Sequence, residues 1–325
     1  ARDIARILGC NENKNGGIIG KDYIVTWALG HLVTLKLPED INKDWQEWNL
    51  NNLPMIPKEF STKVIPNVSK QFNCVKDFMK DSNISELIIA TDAGREGELV
   101  ARWIIEKVGF KKPMKRLWIS SLTDAAIKNG FSHLVDYRVY DRLYEAAASR
   151  AKADWLVGLN ISRALTCKYN ASLSAGRVQT PTLSLIVERE KEINNFKAIP
   201  YYTISLKAYQ KDFQLVKNNN VIKYFNKNEA LSICEKIRNS KIYVKELVEK
   251  EKREVPSLLY DLTTLQEDAN KLYSFSAKYT LDIVQRLYEE KKYLTYPRTD
   301  SKYLSTDMYQ TIKERLLACS YHNFQ

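Results

Sequence analysis

Cysteine is scarce in this chain and poorly placed for metal chemistry. Cys10, Cys74, Cys167, Cys234 and Cys319 stand far apart with no Cys-x-x-Cys pair, which argues against zinc, and an odd, scattered set fits a reducing cytosol. No apolar run approaches the roughly 20 residues needed to cross a bilayer, and no secretory leader is recognisable. The expectation is therefore a cytoplasmic protein without a membrane partner. A nucleotide-triphosphate loop is missing too. Gly16-Gly-Ile-Ile-Gly-Lys21-Asp22 is one residue short between its glycines and has Asp where Ser or Thr would hold magnesium, so no use of ATP is expected. Repeats and low-complexity segments are absent.

What the chain has is positive charge: 50 Lys and Arg against 39 Asp and Glu, a net charge of +11 over 325 residues. That balance points to a polyanionic partner, and the length implies more than one domain. Apolar positions Ile4, Ile7 and Leu8 predict a helix closed by Gly9. Residues 23–28 read as a buried strand, and 38–66 as Pro- and Asn-rich loop containing Trp45 and Trp48. A helix near 68–80 leads to an apolar strand, 85–92. A helix from Glu96 to Val108 follows, with Leu99, Trp103, Ile104 and Val108 on one face, and then a strand over Arg116–Ile119. Strand, helix, strand argues for a parallel pair with a crossover helix. Residues 137–169 form one long helical pattern, and another helix runs to about Phe196. Short alternating runs over 200–255 surround a helix at 227–239; Ile242-Tyr-Val is among the expected strands, and Lys245–Arg253 reads as a solvated strand face. Two helices, 262–273 and 276–290, flank Ser274-Phe-Ser276. The domains expected are 1–136, α/β; 137–199, helical; 200–258, β-rich; and 259–325, a helix-turn-helix region.

Three stretches carry chemistry. The first is Asp92-Ala-Gly-Arg-Glu96-Gly-Glu98, between strand and helix. Carboxylates at a strand's carboxyl end and a helix N-terminus suit a magnesium site, since Mg2+ needs only one or two protein carboxylates beside substrate phosphate. A helix start enriched in acids for its dipole alone is the alternative. The second is Ser174-Ala-Gly-Arg177-Val-Gln179, a turn offering N–H groups, a hydroxyl and a guanidinium to phosphate. Arg150 and Lys152, among small residues on the long helix, are either part of the same surface or simply solvated. The third is Tyr293-Leu-Thr-Tyr296-Pro-Arg298-Thr-Asp-Ser301. A tyrosine has a pKa of about 10, and a neighbouring guanidinium both favours the phenolate and grips phosphate oxygens. With 19 tyrosines in the chain, this string alone does not separate Tyr296 from packing residues. The other two strings do.

Together with Trp27-Ala-Leu-Gly-His31-Leu and Ala153-Asp154-Trp-Leu-Val-Gly158, these strings resemble the type IA DNA topoisomerases over essentially the whole chain. The resemblance implies a toroidal enzyme that begins with a Toprim α/β domain and continues through helical and small β-rich domains. It would be a Mg2+-dependent, ATP-independent monomer, nucleoid- or plasmid-associated. It would act on single-stranded segments of negatively supercoiled or catenated duplex by transient cleavage, strand passage and religation. Tyr296 would be the nucleophile, forming a 5′-phosphotyrosine, and Arg298 would stabilise that phosphate. Asp92 and Glu96 would be the metal acids. Arg150, Asp154, Ser174, Ala175, Gly176, Arg177, Val178 and Gln179 would line the strand groove, with His31 and Trp48 touching DNA. Gly94 departs from the pattern, standing where many Toprim sequences have a second Asp. The resemblance also places a Glu-Lys-Pro-Ser string, whose Glu would be the proton donor, before Ala1, and the chain is expected to be a fragment. Should the chain as given relax plasmid at a normal rate without that Glu, a carboxylate such as Glu98 would become the candidate donor. The competing tyrosine enzymes, His-x-His relaxases and His-x-x-Arg recombinases, find no matching pair in His31, His133 or His322. A catalytically incomplete single-strand-binding fragment stays open as the other reading.

Overall fold

The computed structural model describes residues 1–208, 210–291, 293–297, 299 and 301–321. They divide into two compact units, one of Ala1–Thr180 with Leu258–Gln325 and one of Pro181–Ser257.

The first unit opens with helix α1 (Arg2–Ile7), whose Arg6 forks onto Asp124 at 2.9 and 2.6 Å. An antiparallel meander follows: β1 (Glu12–Lys14), β2 (Gly17–Ile19) and β3 (Ile24–Thr26). The turn at Gly16 has φ +79, open to glycine without strain, and a Cβ there would lie 2.5 Å from Cys74 Cβ. The strand expected over 23–28 shortens to β3 and is half-buried, because one neighbour strand covers it. β4 (Val33–Leu35) pairs with β5 (Thr62–Val64), a strand hidden from the sequence in Pro-rich surroundings; α2 (Pro38–Ile41) and short 3-10 turns lie between.

The predicted crossover is present. α3 (Ser69–Lys80) precedes β6 (Leu87–Ile89), α4 (Arg95–Val108) and β7 (Met114–Arg116). β6 and β7 are parallel, with Ile89 opposite Arg116. α4 ends at Gly109, φ +72, whose N–H returns to Ile105 and Glu106 carbonyls. α5 (Asp124–Ser132), capped by the Thr123 hydroxyl on Ala126 N–H, leads to β8 (Val135–Asp136), antiparallel to β7. α6 (Asp141–Tyr169) then runs for 29 residues, about 44 Å. Its Ala147, Ala148 and Trp155 pack with Leu99, Trp103 and Ile104 of α4 and with Leu32, Val33 and Met55 in the main core. Small residues at 147 and 148 let the helices approach. Each large apolar side chain buried there contributes about 1.5–3 kcal/mol.

α7 (Gln179–Asn194) begins at the end of this stretch, and all its residues are exposed. The second unit holds β9 (Ser205–Ala208) with β10 (Lys211–Gln214), β11 (Val216–Lys217) with β12 (Asn220–Val221), and α8 (Lys227–Arg238). The strand expected at Ile242-Tyr-Val does not form. These residues are exposed and find no partner strand among the described residues, nor do Lys245–Arg253 form a strand face. A lone strand cannot satisfy its backbone.

Back in the first unit, α9 (Leu262–Tyr273) starts with a reciprocal cap between Asp261 and Thr264 and ends at Ser274, φ +56. α10 (Ala277–Glu289), capped by Ser276, precedes Tyr296, and α11 (Ile312–Tyr321) closes the described residues. Among these residues no helix is long and apolar enough to cross a membrane.

Candidate functional site

The carboxylate loop is built from the inside. Thr91 Oγ1 donates to Gly97 O at 2.8 Å, and Gly94 N–H to Asp92 O at 2.9 Å. Gly97 is forced by close approach, since a Cβ there would stand 2.0 Å from Asp92 O. Beneath the loop lies Arg116, fully buried. It donates to the carbonyls of Ile89 (3.2 Å), Thr91 (2.7 Å) and Asp92 (2.7 Å), and its Nε donates to Glu98 Oε1 at 2.6 Å. Burial pulls the guanidinium below its ordinary pKa, and the Glu98 carboxylate pushes back. The second Glu98 oxygen accepts from Arg102 Nε at 3.2 Å; Arg102 reaches on to Asp141 (2.9 Å) and to Tyr137 O (2.7 Å) at the start of α6.

Glu98 is therefore a buried structural partner of two arginines, not an acid open to substrate. It is fully buried, and both oxygens are held by arginines. Asp92 and Glu96 differ from it, being exposed at the strand–helix junction. Among the described residues no group of three or more His, Cys, Asp or Glu is placed to hold a metal. Two hard carboxylates suit a cation that keeps its waters and takes other ligands from substrate, and are too few for zinc. At Gly94 a Cβ would meet nothing within 4 Å, and its φ of −177° is ordinary extended backbone. The missing second carboxylate thus reflects no steric need.

Glu96 faces a cleft of about 490 Å3 shared by His31, Leu99, Trp103, Arg150, Asp154 and Trp155. His31 Nε2 lies 3.5 Å from Glu96 Oε2, and its ring is 6.1 Å from that of Trp103. Asp154 sits between two guanidiniums. Arg177 Nε donates to its Oδ1 at 2.7 Å, raising the Arg177 pKa, and Arg150 Nε stands 3.9 Å from Oδ2. One carboxylate thus stands beside two exposed cations, hydrogen-bonded to one of them.

The Ser174–Gln179 turn is clipped to α6. Ser162 Oγ donates to Ala175 O (3.2 Å) and accepts from Ala175 N–H (2.9 Å), and Thr166 Oγ1 donates to Leu173 O. Two of the turn's amides are already engaged, Ala175 by Ser162 and Gly176 by Thr180 Oγ1. What stays outward is side chain: Ser174, Arg177, Val178 and Gln179 are exposed. Trp48 is elsewhere. It lies over Arg163, 5.1 Å from the guanidinium carbon to the ring centre, about 20 Å along α6 from Arg150. It is 53% exposed.

Tyr296 is 51% exposed, and its ring meets Tyr288 edge to face at 5.5 Å. Pro297 behind it is buried. Arg298 lies outside the described residues. No hydrogen bond or ion pair among the described residues joins Tyr296 to Asp92 or Glu96. The segment after it is tied down further on, where Asp307 accepts from Ser121 Oγ (2.9 Å) and Thr123 Oγ1 (2.6 Å). Arg102, Arg116, Ser121, Thr123 and Asp307 were not singled out in the sequence. For Arg116 the only available signal was a charge in an apolar strand.

The Toprim domain model matches residues 1–122 and the DNA topoisomerase model residues 138–324. DNA topoisomerase 3 of Shouchella clausii is 52% identical over 329 aligned positions, covering 100% of this chain and 45% of that protein. The proteins of the same name from Bacillus cereus and Staphylococcus aureus are also 52% identical, over 98% of this chain and 44% of their own lengths. Full-length topoisomerase I from Thermotoga maritima superposes with a TM-score of 0.62 at 27% identity, covering 98% of this chain and 50% of that one. The chain thus spans a little under half the length of the curated relatives it matches. Toprim domains bind divalent metal ions in general, in keeping with the exposed Asp92 and Glu96. With the topoisomerase model matching more than half its residues, the chain belongs to the type IA DNA topoisomerase family.

Proposed function

We propose that this chain supplies the metal, strand-binding and nucleophile-bearing parts of an enzyme that cuts one DNA strand, passes another and reseals the first. The observation that carries this reading is the shared cleft: Glu96 of the carboxylate loop, with His31, Arg150 and Asp154, and Arg177 bonded to Asp154. Arg150, Arg177 and the turn residues Ser174, Ala175, Gly176, Val178 and Gln179 would position a single strand, Trp48 would offer a stacking face, and Asp92 and Glu96 would hold Mg2+. The Tyr296 phenol gives up its proton as its oxygen bonds to a backbone phosphorus, the P–O3′ bond breaks, and the departing 3′-oxygen takes up one proton in its place, so the net proton count is unchanged. The 5′-phosphotyrosine conserves the bond energy, so the 3′-hydroxyl reverses the step and no ATP is needed. Bound Mg2+ would supply charge stabilisation at the transferring phosphate, and Arg298 would hold its non-bridging oxygens. The working form would be a monomer acting on supercoiled or catenated DNA in the cytoplasm.

The test is Tyr296→Phe in the protein at its natural length. Only the phenolic oxygen is lost, so covalent adducts on a labelled single strand should vanish while binding stays nearly intact. Undiminished adducts would place the nucleophile elsewhere, at Tyr293 or Tyr303. A second reading, a strand-binding but inactive piece, is favoured for residues 1–325 alone by their share of the relatives' length. That chain should bind single-stranded DNA and fail to relax plasmid, and relaxation at a normal rate with Mg2+ would reject this second reading.

A further inference from the structure

The hydrogen bonds between Asp307 and the loop after β7 bridge 184 residues of sequence. They tie the segment that follows Tyr296 to the domain carrying Asp92 and Glu96. Their construction is unlike that of the buried clamp under the carboxylate loop. Asp307 is exposed, Ser121 and Thr123 are half-exposed, and water can replace each bond when it breaks. Both sides keep local support once apart. Thr123 also caps α5 through Ala126 N–H, and Asp307 sits in the 3-10 turn Thr306–Thr311.

The chemistry proposed above demands such a contact. After cleavage one strand end is bonded to Tyr296 and the other is held without a covalent bond. For a second strand to pass, the two ends must separate and then return to within bonding distance. Whatever joins the tyrosine segment to the carboxylate-bearing domain must therefore open and re-form on every cycle. We propose that Asp307 with Ser121 and Thr123 is this breakable catch, and that Asp307 is a positioning residue, holding Tyr296 in register for cutting and resealing. The proposal rests on the cut-and-reseal reading.

The test uses the protein at its natural length, with Asp307→Ala, Ser121→Ala and the double variant. Resealing of preformed adducts should slow, and trapped adduct should rise, by roughly three- to tenfold, as for one or two charge-assisted hydrogen bonds at an exposed site. Single-strand affinity should not change. Ser121→Ala should shift the balance in the same direction and add little on top of Asp307→Ala, since both remove one contact. Closure is read separately, by energy transfer between unnatural-amino-acid dyes at the exposed positions Lys128 and Lys313. The distance distribution should broaden in Asp307→Ala. An unbroadened distribution, or a resealing rate equal to the parent's, overturns the catch and leaves Asp307 as a local turn residue. A parent protein that forms no Tyr296 adduct sinks the cleavage reading instead, and the dye distances then decide alone whether Asp307 holds the two segments together.

Discussion

The carboxylate junction and the tyrosine segment lie in one compact unit and are held by opposite means. Under the junction, Arg116 and Glu98 are both wholly buried and bonded to each other, and Arg116 also donates to four backbone carbonyls. Around Tyr296 the described contacts include a ring edge on Tyr288, the Tyr293 N–H to Leu287 O bond, the Lys302–Asp261 ion pair and, further on, the exposed hydrogen bonds of Asp307. A buried ion pair resists removal of either partner because the other is left charged in a dry place. An exposed one exchanges with water at little cost. One half is thus fixed by burial and the other open to exchange with water, as the proposed separation of two strand ends would require.

The comparison breaks most visibly at Glu98. Glu98→Ala strands two guanidiniums, one fully buried, and should destabilise the chain by about 3–5 kcal/mol, whereas Tyr296→Phe should stay within about 0.5 kcal/mol. Urea melts of the two variants measure the difference, and equal losses would deny that the halves differ. Next comes the glycine pair of the loop. Gly97→Ala drives a methyl into Asp92 O and should cost at least about 2 kcal/mol. Gly94→Ala should be nearly neutral in the same assay, and Gly94→Asp should tighten Mn2+ binding read by electron paramagnetic resonance. A destabilising Gly94→Ala would mean the open space there is not real.

A smaller effect sharpens the picture of the groove. Arg150→Ala and Arg177→Ala should each reduce the log–log salt dependence of single-strand binding by about 0.7, as for one phosphate. An unchanged slope with unchanged affinity would return both arginines to the role of solvated partners of Asp154. The smallest effect expected is from pH at Asp307. Its carboxyl is drawn down to about 2 by hydrogen bonds from Ser305, then Thr123 and Ser121. A depressed carboxyl contributes fully above its ordinary value and loses that contribution as pH falls through about 2. Dye distances between positions 128 and 313 should therefore be flat from pH 9 to pH 5 and widen only toward pH 2. A transition near neutrality would show that another group holds the contact.

Periodicity and punctuation made the helices and the parallel crossover legible: the apolar faces of α3, α4 and α10 repeat at helical spacing, Gly109 closes α4 and Ser274 closes α9. Local strings marked Asp92, Glu96, Arg177 and Tyr296, because phosphate and metal chemistry needs those residue types close together in the chain. β5 escaped notice because its partner β4 lies beyond a Pro-rich loop, and pairing leaves no trace in a three-residue segment. The burial of Glu98 left no mark in the sequence for a similar reason. Its neighbours in sequence are the exposed acids of the loop, and its neighbours in space are Arg102, one turn on, and Arg116, a strand away.

The sequence by itself determined which segments coil, which residue types are suited to phosphate and to which family the chain is akin. Those properties depend on spacing over a few residues. Tertiary structure alone decided which carboxylates face water, which arginine is locked beneath the loop, and that Trp48 packs over Arg163, on a stretch of α6 remote from Arg150. It also decided that Asp307 reaches Thr123 across 184 residues. Each of these depends on burial and on hydrogen bonds between distant positions, and both are fixed only when the elements pack.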